Sequence, residues 1–249
     1  AERCREWGGR TDLVIVLGGD GTVHEAINGL AELEVRPILG ILPGGTCNDF
    51  SRMLRIPQNL VRAAKILMQG KTQLLDVGKV NDHYFLNFWG VGLVADTSTN
   101  IDAGQKKVLG KLSYFLSALK TMQAAEPFHF TLEADEHHLK GEAVMILVMN
   151  GRYIGTNQIP FPNMKIDDGL FDVLIVRDST FGSLIEVFNL EELPPNNAEA
   201  VGNLQHFQTS SLSVQTSPVL EADTDGEIYS ETPAELIVLN KHIQMLVGD

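Results

Sequence analysis

Two apolar runs, each leading straight into a glycine-rich loop, constrain this chain more than any other feature. Leu13 to Leu17 reads Leu-Val-Ile-Val-Leu and is closed by Gly18-Gly19-Asp20-Gly21-Thr22. A second run, Ile38 to Leu42, is closed by Pro43-Gly44-Gly45-Thr46-Cys47-Asn48-Asp49-Phe50. Neither run alternates polar with apolar residues, so both read as strands buried on both faces, as in a parallel sheet. Helical spacing follows each loop: Val23, Ala26, Ile27 and Leu30 after the first, Phe50, Met53 and Leu54 after the second. Gly29 marks a candidate end for the first of these helices. Leu60 to Met68 predicts a third helix, with Leu60, Ala63, Ala64 and Leu67 on one face. Strands alternating with helices predict a doubly wound α/β domain over about residues 1–75.

From Leu74 the pattern becomes strand-rich. Candidate strands are Leu75–Val80, Tyr84–Trp89, Phe128–Ala134, Glu142–Met149, Phe171–Val176, Ser211–Val214, Glu227–Tyr229 and Leu236–Leu239. Asn81-Asp82 reads as a hairpin turn between the first two. Many short strands with turn signals predict an all-β unit, a sandwich or barrel, over about residues 76–240. Leu109, Leu112, Leu116 and Leu119 predict an amphipathic helix, either a core helix or a wall for an apolar ligand. Phe181 to Leu190 is a second such stretch, and Glu191 to Asn203 reads as a loop.

With 249 residues and 44% hydrophobic content the chain can bury a substantial core, which excludes disorder. The formal charge of -13 argues against a nucleic-acid partner and against tight docking on anionic membranes. Cys4 and Cys47 supply no disulfide framework and no zinc site, so reduced cysteines and a cytoplasmic location are expected. No apolar stretch approaches a membrane span and no signal peptide opens the sequence.

The glycine loops carry the strongest chemical signal. Glycine lets a backbone approach phosphate oxygens, and the helix that follows aims free N–H groups and its dipole at an anion. Asp20 offers a carboxylate to organise Mg2+ or water. The first loop is neither G-x-G-x-x-G nor a Walker P-loop, and it also reads as plain strand–helix punctuation. If the two strands are parallel, both loops lie at the carboxyl edge of one sheet, where open α/β sheets bind ligands. Thr46 is a candidate phosphate donor. Asn48 and Asp49 are either helix caps or nucleotide and substrate contacts. His24 is either a nucleotide contact or a partly exposed first-turn residue, and Glu25 faces either the phosphate region or solvent.

Two acidic turns stand in the second half. Asp223, Asp225 and Glu227 crowd around Gly226. An EF-hand alignment fails there, because Thr232 falls where the bidentate Glu belongs. Lys165-Ile166-Asp167-Asp168-Gly169-Leu170 is first a turn between strands. His137-His138 has poor metal-ligand spacing and reads as surface.

Gly18–Thr22, Pro43–Phe50, Asp223–Glu227 and Asn87–Leu93 together, in this order, closely resemble the soluble bacterial diacylglycerol and lipid kinases, in particular the BmrU/YegS-like branch. The resemblance spans essentially the whole chain. It implies ATP at the two loops, held by Gly18, Gly19, Asp20, Gly21, Thr22, Val23, His24 and Thr46, with Asn48 and Asp49 supporting substrate. It implies Glu227 as general base toward a lipid hydroxyl, with Asp225 raising its pKa. It implies a Mg2+ site from the Asp168 side chain and the Lys165 and Leu170 carbonyls, beside the Mg2+ that ATP brings. It places the lipid in a cleft between the α/β domain and a β-sandwich, and returns the chain to the first domain from about Lys241, so that 241–249 completes it. The family's leading strand, with an Asn-Pro-x-x-Gly loop, is expected before Ala1.

Other readings remain open at this point. A NAD kinase shares the first glycine motif, although the second loop argues against it. A nucleotide- or lipid-binding regulator without turnover is a reading of another class, and a phosphofructokinase-like sugar kinase fits the later motifs poorly. A lipid substrate combined with this net charge predicts transient, peripheral membrane contact, for example around Lys106-Lys107, and a homodimer is a general prior for such enzymes.

Overall fold

A computed structural model of the chain describes residues 1–93, 95, 126–135, 137–159, 164–177, 197–201 and 204–249. The helix expected around Leu109 to Leu119, Lys106-Lys107, and the stretch Phe181 to Leu190 lie outside the described residues. The chain opens with α1 (Glu2–Trp7) and continues through β1 (Leu13–Gly18), α2 (Asp20–Leu30), β2 (Ile38–Pro43), α3 (Asp49–Met53) and α4 (Leu60–Leu67). Strands follow: β3 (Thr72–Val80), β4 (His83–Phe85), β5 (Phe88–Gly92), β6 (Phe128–Ala134), β7 (His137–Ala143), β8 (Met145–Met149), β9 (Tyr153–Ile154), β10 (Asn157–Gln158) and β11 (Phe171–Val176). The last are β12 (Asn197–Val201), β13 (Leu204–Thr209), β14 (Ser211–Ser217), β15 (Glu221–Thr224), β16 (Glu227–Glu231) and β17 (Ala234–Leu246).

β1 and β2 pair in parallel, from Leu13 opposite Ile38 to Gly18 opposite Pro43. They belong to a mixed sheet ordered β1-β2-β17-β14-β6-β7, with β3 also pairing β17 and β4. The strand β17 joins the two halves. Its beginning pairs β14, with Ala234 opposite Val214, and its end pairs β2 in parallel, with Met245 opposite Leu39. Between these it shifts register against β3, and Lys241 takes a φ of 48°. Leu236–Leu239 was therefore too short an expectation: the polar stretch Asn240-Lys241-His242 breaks the alternation, but the strand continues through a bulge.

Around the parallel strands, α2 contributes Val23, Ala26, Ile27 and Leu30, β2 contributes Leu39 and Ile41, and α4 contributes Ala63 and Leu67 to one apolar core that also holds Phe50, Leu75 and Met245. Beyond it the mixed sheet faces a second, antiparallel sheet, β12-β13-β11-β8-β5-β15-β16. The side chains between the sheets, including Trp89, Phe128, Val148, Val173, Phe207 and Val214, form a sandwich core in which Phe85 stacks on Phe171 at 5.5 Å. The architecture is α/β plus all-β, as the sequence predicts. Among the described residues no helix is long and apolar enough to cross a membrane.

Several expectations need correction. β1 is not buried on both faces: Leu13, Ile15 and Leu17 are 45%, 51% and 62% exposed, because β1 is the sheet's edge strand and no described element covers that face. Gly29 does not end α2, which runs on to Leu30; its missing side chain admits α1, since a Cβ there would lie 2.3 Å from the Ala1 carbonyl oxygen. Tyr84–Trp89 and Glu142–Met149 are each two strands. The first breaks at Leu86-Asn87 and the second at Val144, and at both breaks the chain crosses from one sheet to the other. No Gly or Pro punctuates either break, so the sequence reads each stretch as one strand. The presumed loop 191–203 contains β12.

Candidate active site

The in-register pairing of β1 with β2 brings the two glycine loops together at one sheet edge. Gly44 N–H donates to the Gly18 carbonyl at 2.8 Å. A Cβ on Gly45 would stand 2.4 Å from Gly19 Cα, so neither loop tolerates a side chain at their contact. Gly19 is the N-cap of α2 and no side chain caps the helix. The first N–H groups and the positive dipole end of an eleven-residue helix therefore face the loops. Thr22, Gly44, Gly45 and Thr46 are exposed there.

Asn48 is the N-cap residue of α3, but no side chain caps that helix. Asn48, at a φ of 53°, turns its amide back onto the loop: Oδ1 accepts from Gly45 N at 2.8 Å and Nδ2 donates to Gly45 O at 2.9 Å. Asp49 reaches the second half of the chain and accepts the N–H groups of Gly155 and Thr156 at 2.5 and 2.6 Å. Asp20 accepts from Phe50 N at 3.4 Å. Burial pushes both carboxyls up. Asp49 is raised to about 6, with the Asp20 charge adding to its burial, and Asp20 is raised with the Asp225 charge adding. Three carboxylates thus share one water-poor region, where incoming positive charge is favoured.

Glu227 arrives from the opposite direction. β15 and β16 pair with Thr224 opposite Glu227, leaving a two-residue loop, Asp225-Gly226, with φ of 55° and 90°. That is the hairpin turn for which Asp-Gly is suited. It sets Glu227 Oε1 3.2 Å from the place a Cβ on Gly21 would occupy. The general-base candidate and the first turn of α2 are therefore neighbours, although they are about 200 residues apart in sequence.

Asp225 holds this approach in place. Its carboxylate accepts the N–H groups of Leu86, Asn87 and Phe88 at 2.9, 2.8 and 3.0 Å, and His24 Nδ1 lies 3.1 Å away. The corner between β4 and β5 is thus tied to the Asp-Gly turn and to α2. One reading changes. His24 is 3% exposed and sits between Asp225 and Asn28, so it is neither an exposed first-turn residue nor a side chain open to the loops. The Asp225 charge also adds to the rise of Asp20. The Val23 side chain is in the core, which leaves only its backbone to face a ligand. Glu25 is exposed.

The second acidic turn lies apart from this cluster. The Asp168 carboxylate accepts Leu170 N at 3.2 Å, and burial raises its pKa, with Asp172 and Asp76 adding like charge. Among the described residues no group of three His, Cys, Asp or Glu side chains is arranged to hold a metal ion. A set of one carboxylate with the Lys165 and Leu170 carbonyls is of another kind, and it suits a hard cation in chemistry and in its negative surroundings. Three residues of the site region escape a sequence reading. Buried Asp76 joins this turn to the β17 bulge, accepting Gly169 N and Lys241 N at 2.6 Å each. Asn28 grips the Tyr84 backbone at both N–H and carbonyl. Asn150 donates to the Leu86 and Asp76 carbonyls. An Asn four residues after His24 on a helix face is a weak signal for Asn28; nothing local marks Asp76.

Paired glycine loops under an α2 N-terminus, with a carboxylate from the sandwich beside them, define an α/β domain joined to a β-sandwich. Comparison with known proteins agrees. Residues 1–80 match the diacylglycerol kinase catalytic domain, and residues 90–247 match the YegS C-terminal NAD kinase beta sandwich-like domain. A Staphylococcus haemolyticus protein named "Putative lipid kinase SH2167" is 37% identical over 97% of this chain and 78% of its own length. A crystal structure titled as a diacylglycerol kinase from Bacillus anthracis superposes with a TM-score of 0.83 at 40% identity, covering 99% of this chain and 81% of that one. A NAD kinase from Archaeoglobus fulgidus, 12% identical at a TM-score of 0.54 over 98% of this chain and 81% of that one, shares the fold alone. The chain belongs to the diacylglycerol kinase catalytic-domain family, in its lipid kinase branch with a YegS-type sandwich.

Proposed function

We propose that the protein is an ATP-dependent lipid kinase that transfers the γ-phosphoryl group to a lipid hydroxyl, with diacylglycerol or a related lipid as acceptor. The observation that carries this reading is the approach of Glu227 to Gly21. It puts a carboxylate from the sandwich beside the helix N-terminus where a phosphate chain would lie. Gly18, Gly19, Gly21 and Thr22, with Thr46 from the second loop, would receive the ATP phosphates through backbone N–H groups and hydroxyls. Asn48 stiffens Gly45 for that task. Glu227 would accept the proton of the lipid hydroxyl as its oxygen attacks the γ-phosphorus, and ADP would leave in line. Asp20, raised by burial and by Asp225, is suited to bind a cation rather than to sit ionised and bare.

Mg2+ fits two places: Asp20 beside the nucleotide phosphates, and Asp168 with the Lys165 and Leu170 carbonyls. When bound, it would neutralise phosphate charge in the first and brace the turn in the second. The lipid would reach the cleft between α/β domain and sandwich by transient contact with a membrane surface, in keeping with a formal charge of -13. The test is Glu227→Gln, which should abolish phosphoryl transfer while ATP binding, measured by calorimetry, survives. Near-normal turnover in that variant would remove Glu227 from the mechanism.

A further inference from the structure

At the C-terminal end of α3 lies a cavity of about 330 Å³ whose walls concentrate positive charge. Arg52, Arg55, Lys71, Arg152 and Lys165 all line it, in a chain whose formal charge is -13. Neither glycine loop nor Glu227 contributes to it. One carboxylate, Asp167, lines it and keeps its charge while accepting from Gln73; nearby, Asp249 pairs with Lys71 at 3.3 Å, the Lys165 charge acts on Asp168, and the Arg52 charge acts on Asp49. Among the described residues Arg55 and Arg152 have no carboxylate within ion-pair distance, so the cavity keeps an excess of positive charge.

The walls are held by backbone bonds. Val247 N–H donates to the Lys71 carbonyl and Gly248 N–H to the Leu54 carbonyl, at 3.0 and 2.8 Å, which closes the end of β17 onto α3 and β3. Two guanidiniums are partly fixed: Arg52 Nε donates to Cys47 O at 2.8 Å and Arg152 Nη2 to Met164 O at 2.9 Å. Each retains further N–H donors. Arg152 Nε is buried and has no acceptor among the described residues. A buried charged donor is costly unless something completes it.

We infer that this cavity binds a dianionic phosphate group, separate from the nucleotide phosphates at the glycine loops. Forked guanidiniums match tetrahedral phosphate oxygens, and several of them around one space favour a multiply charged anion over a single carboxylate. The volume lies at the lower end for ligand pockets, roughly 300–1,000 Å³, which admits a small phosphate or a headgroup and excludes acyl chains. Met53, Leu54 and Met164 give the carbon part of such a group an apolar wall. The phosphate is carried either by a free small molecule or by the headgroup of a phosphomonoester lipid at a membrane surface.

The experiment uses the full chain. Inorganic phosphate and glycerol phosphate are titrated by calorimetry, and phosphatidylcholine vesicles with and without phosphatidic acid are co-sedimented with the protein. Wild type is compared with Arg55→Gln and with the double variant Arg55→Gln/Arg152→Gln; a non-hydrolysable ATP analogue reports separately on the glycine loops. The inference predicts that phosphate, or phosphatidic acid vesicles, bind wild type and bind the double variant on the order of tenfold more weakly, with the analogue unaffected. Binding of free phosphate points to the small molecule, and binding of vesicles alone to the headgroup. Equal phosphate affinity in all three proteins would assign it to the glycine loops and overturn the inference, as would failure of every phosphate probe to bind wild type. If the double variant does not fold, Arg55→Gln decides alone, because Arg55 is exposed. Lack of kinase turnover would leave this result untouched, so the two proposals fail separately.

Discussion

Removing the Asp225 carboxylate should loosen the joint between the two halves of the site. In Asp225→Ala the buried N–H groups of Leu86, Asn87 and Phe88 lose their shared acceptor, and His24 loses its partner on Nδ1. An unsatisfied buried N–H costs about 1–3 kcal/mol, and some of this is recovered as water enters, so a loss of about 3–5 kcal/mol is expected. For a chain of this length that corresponds to a melting temperature lower by roughly 10 °C. Asp225→Asn keeps one carbonyl oxygen for Asn87 and Phe88 but turns an NH2 group toward Leu86 N–H, so about 2 kcal/mol is expected. The substitution also acts at a distance. Asp225 helps raise the Asp20 carboxyl, so Asp225→Asn should lower it toward its ordinary range. Denaturant melts give the first quantity, and a carboxyl-carbon NMR titration of Asp20 gives the second. A melt within about 2 °C of wild type for Asp225→Ala, or an unmoved Asp20, would refute the reasoning.

Gly45→Ala places a methyl 2.4 Å from Gly19 Cα, against backbone that cannot swing aside, and should weaken ATP binding by about tenfold or more and cost about 1–3 kcal/mol; calorimetry and melts check this. Asp49, at about 6 when folded against 3.8 unfolded, gives up stability as pH rises from about 4 through about 6, because the unfolded chain ionises first. Denaturant melts across that window should therefore be flatter for Asp49→Asn than for wild type, by up to about 3 kcal/mol, and parallel curves would contradict the burial argument. Asp168→Asn should lose any melting-temperature rise that Mg2+ gives wild type; a rise that survives would place that cation elsewhere.

Local sequence made the glycine loops, α2, α4 and strands such as β6 and β11 legible, because each depends on periodicity and turn chemistry within a few residues. The general-base reading of Glu227 comes only from resemblance; as a bare pattern Asp-Thr-Asp-Gly-Glu is a hairpin turn, which it also is. What stayed hidden depends on long-range partners. Asp76 looks like one polar residue in a strand, and only the fold brings Gly169 and Lys241 to its two oxygens. His24 and Asp225 are about 200 residues apart, so no spacing announces their contact. The apolar run of β1 predicted burial on both faces, while the sheet order makes it an edge with Leu13, Ile15 and Leu17 exposed. The sandwich corners at Leu86-Asn87 and Val144 are hidden as well, since no Gly or Pro marks either break and the residues on both sides of it read as strand.

The proposed reaction is phosphoryl transfer to a lipid hydroxyl with Glu227 as its base. The direct measurement is a kinase assay of the full chain with labelled ATP, Mg2+ and mixed lipids that include diacylglycerol, run beside Glu227→Gln. Label in a phosphomonoester lipid with wild type and none with the variant is the predicted result. Label entering NAD, or no transfer to any lipid while ATP still binds, would contradict it.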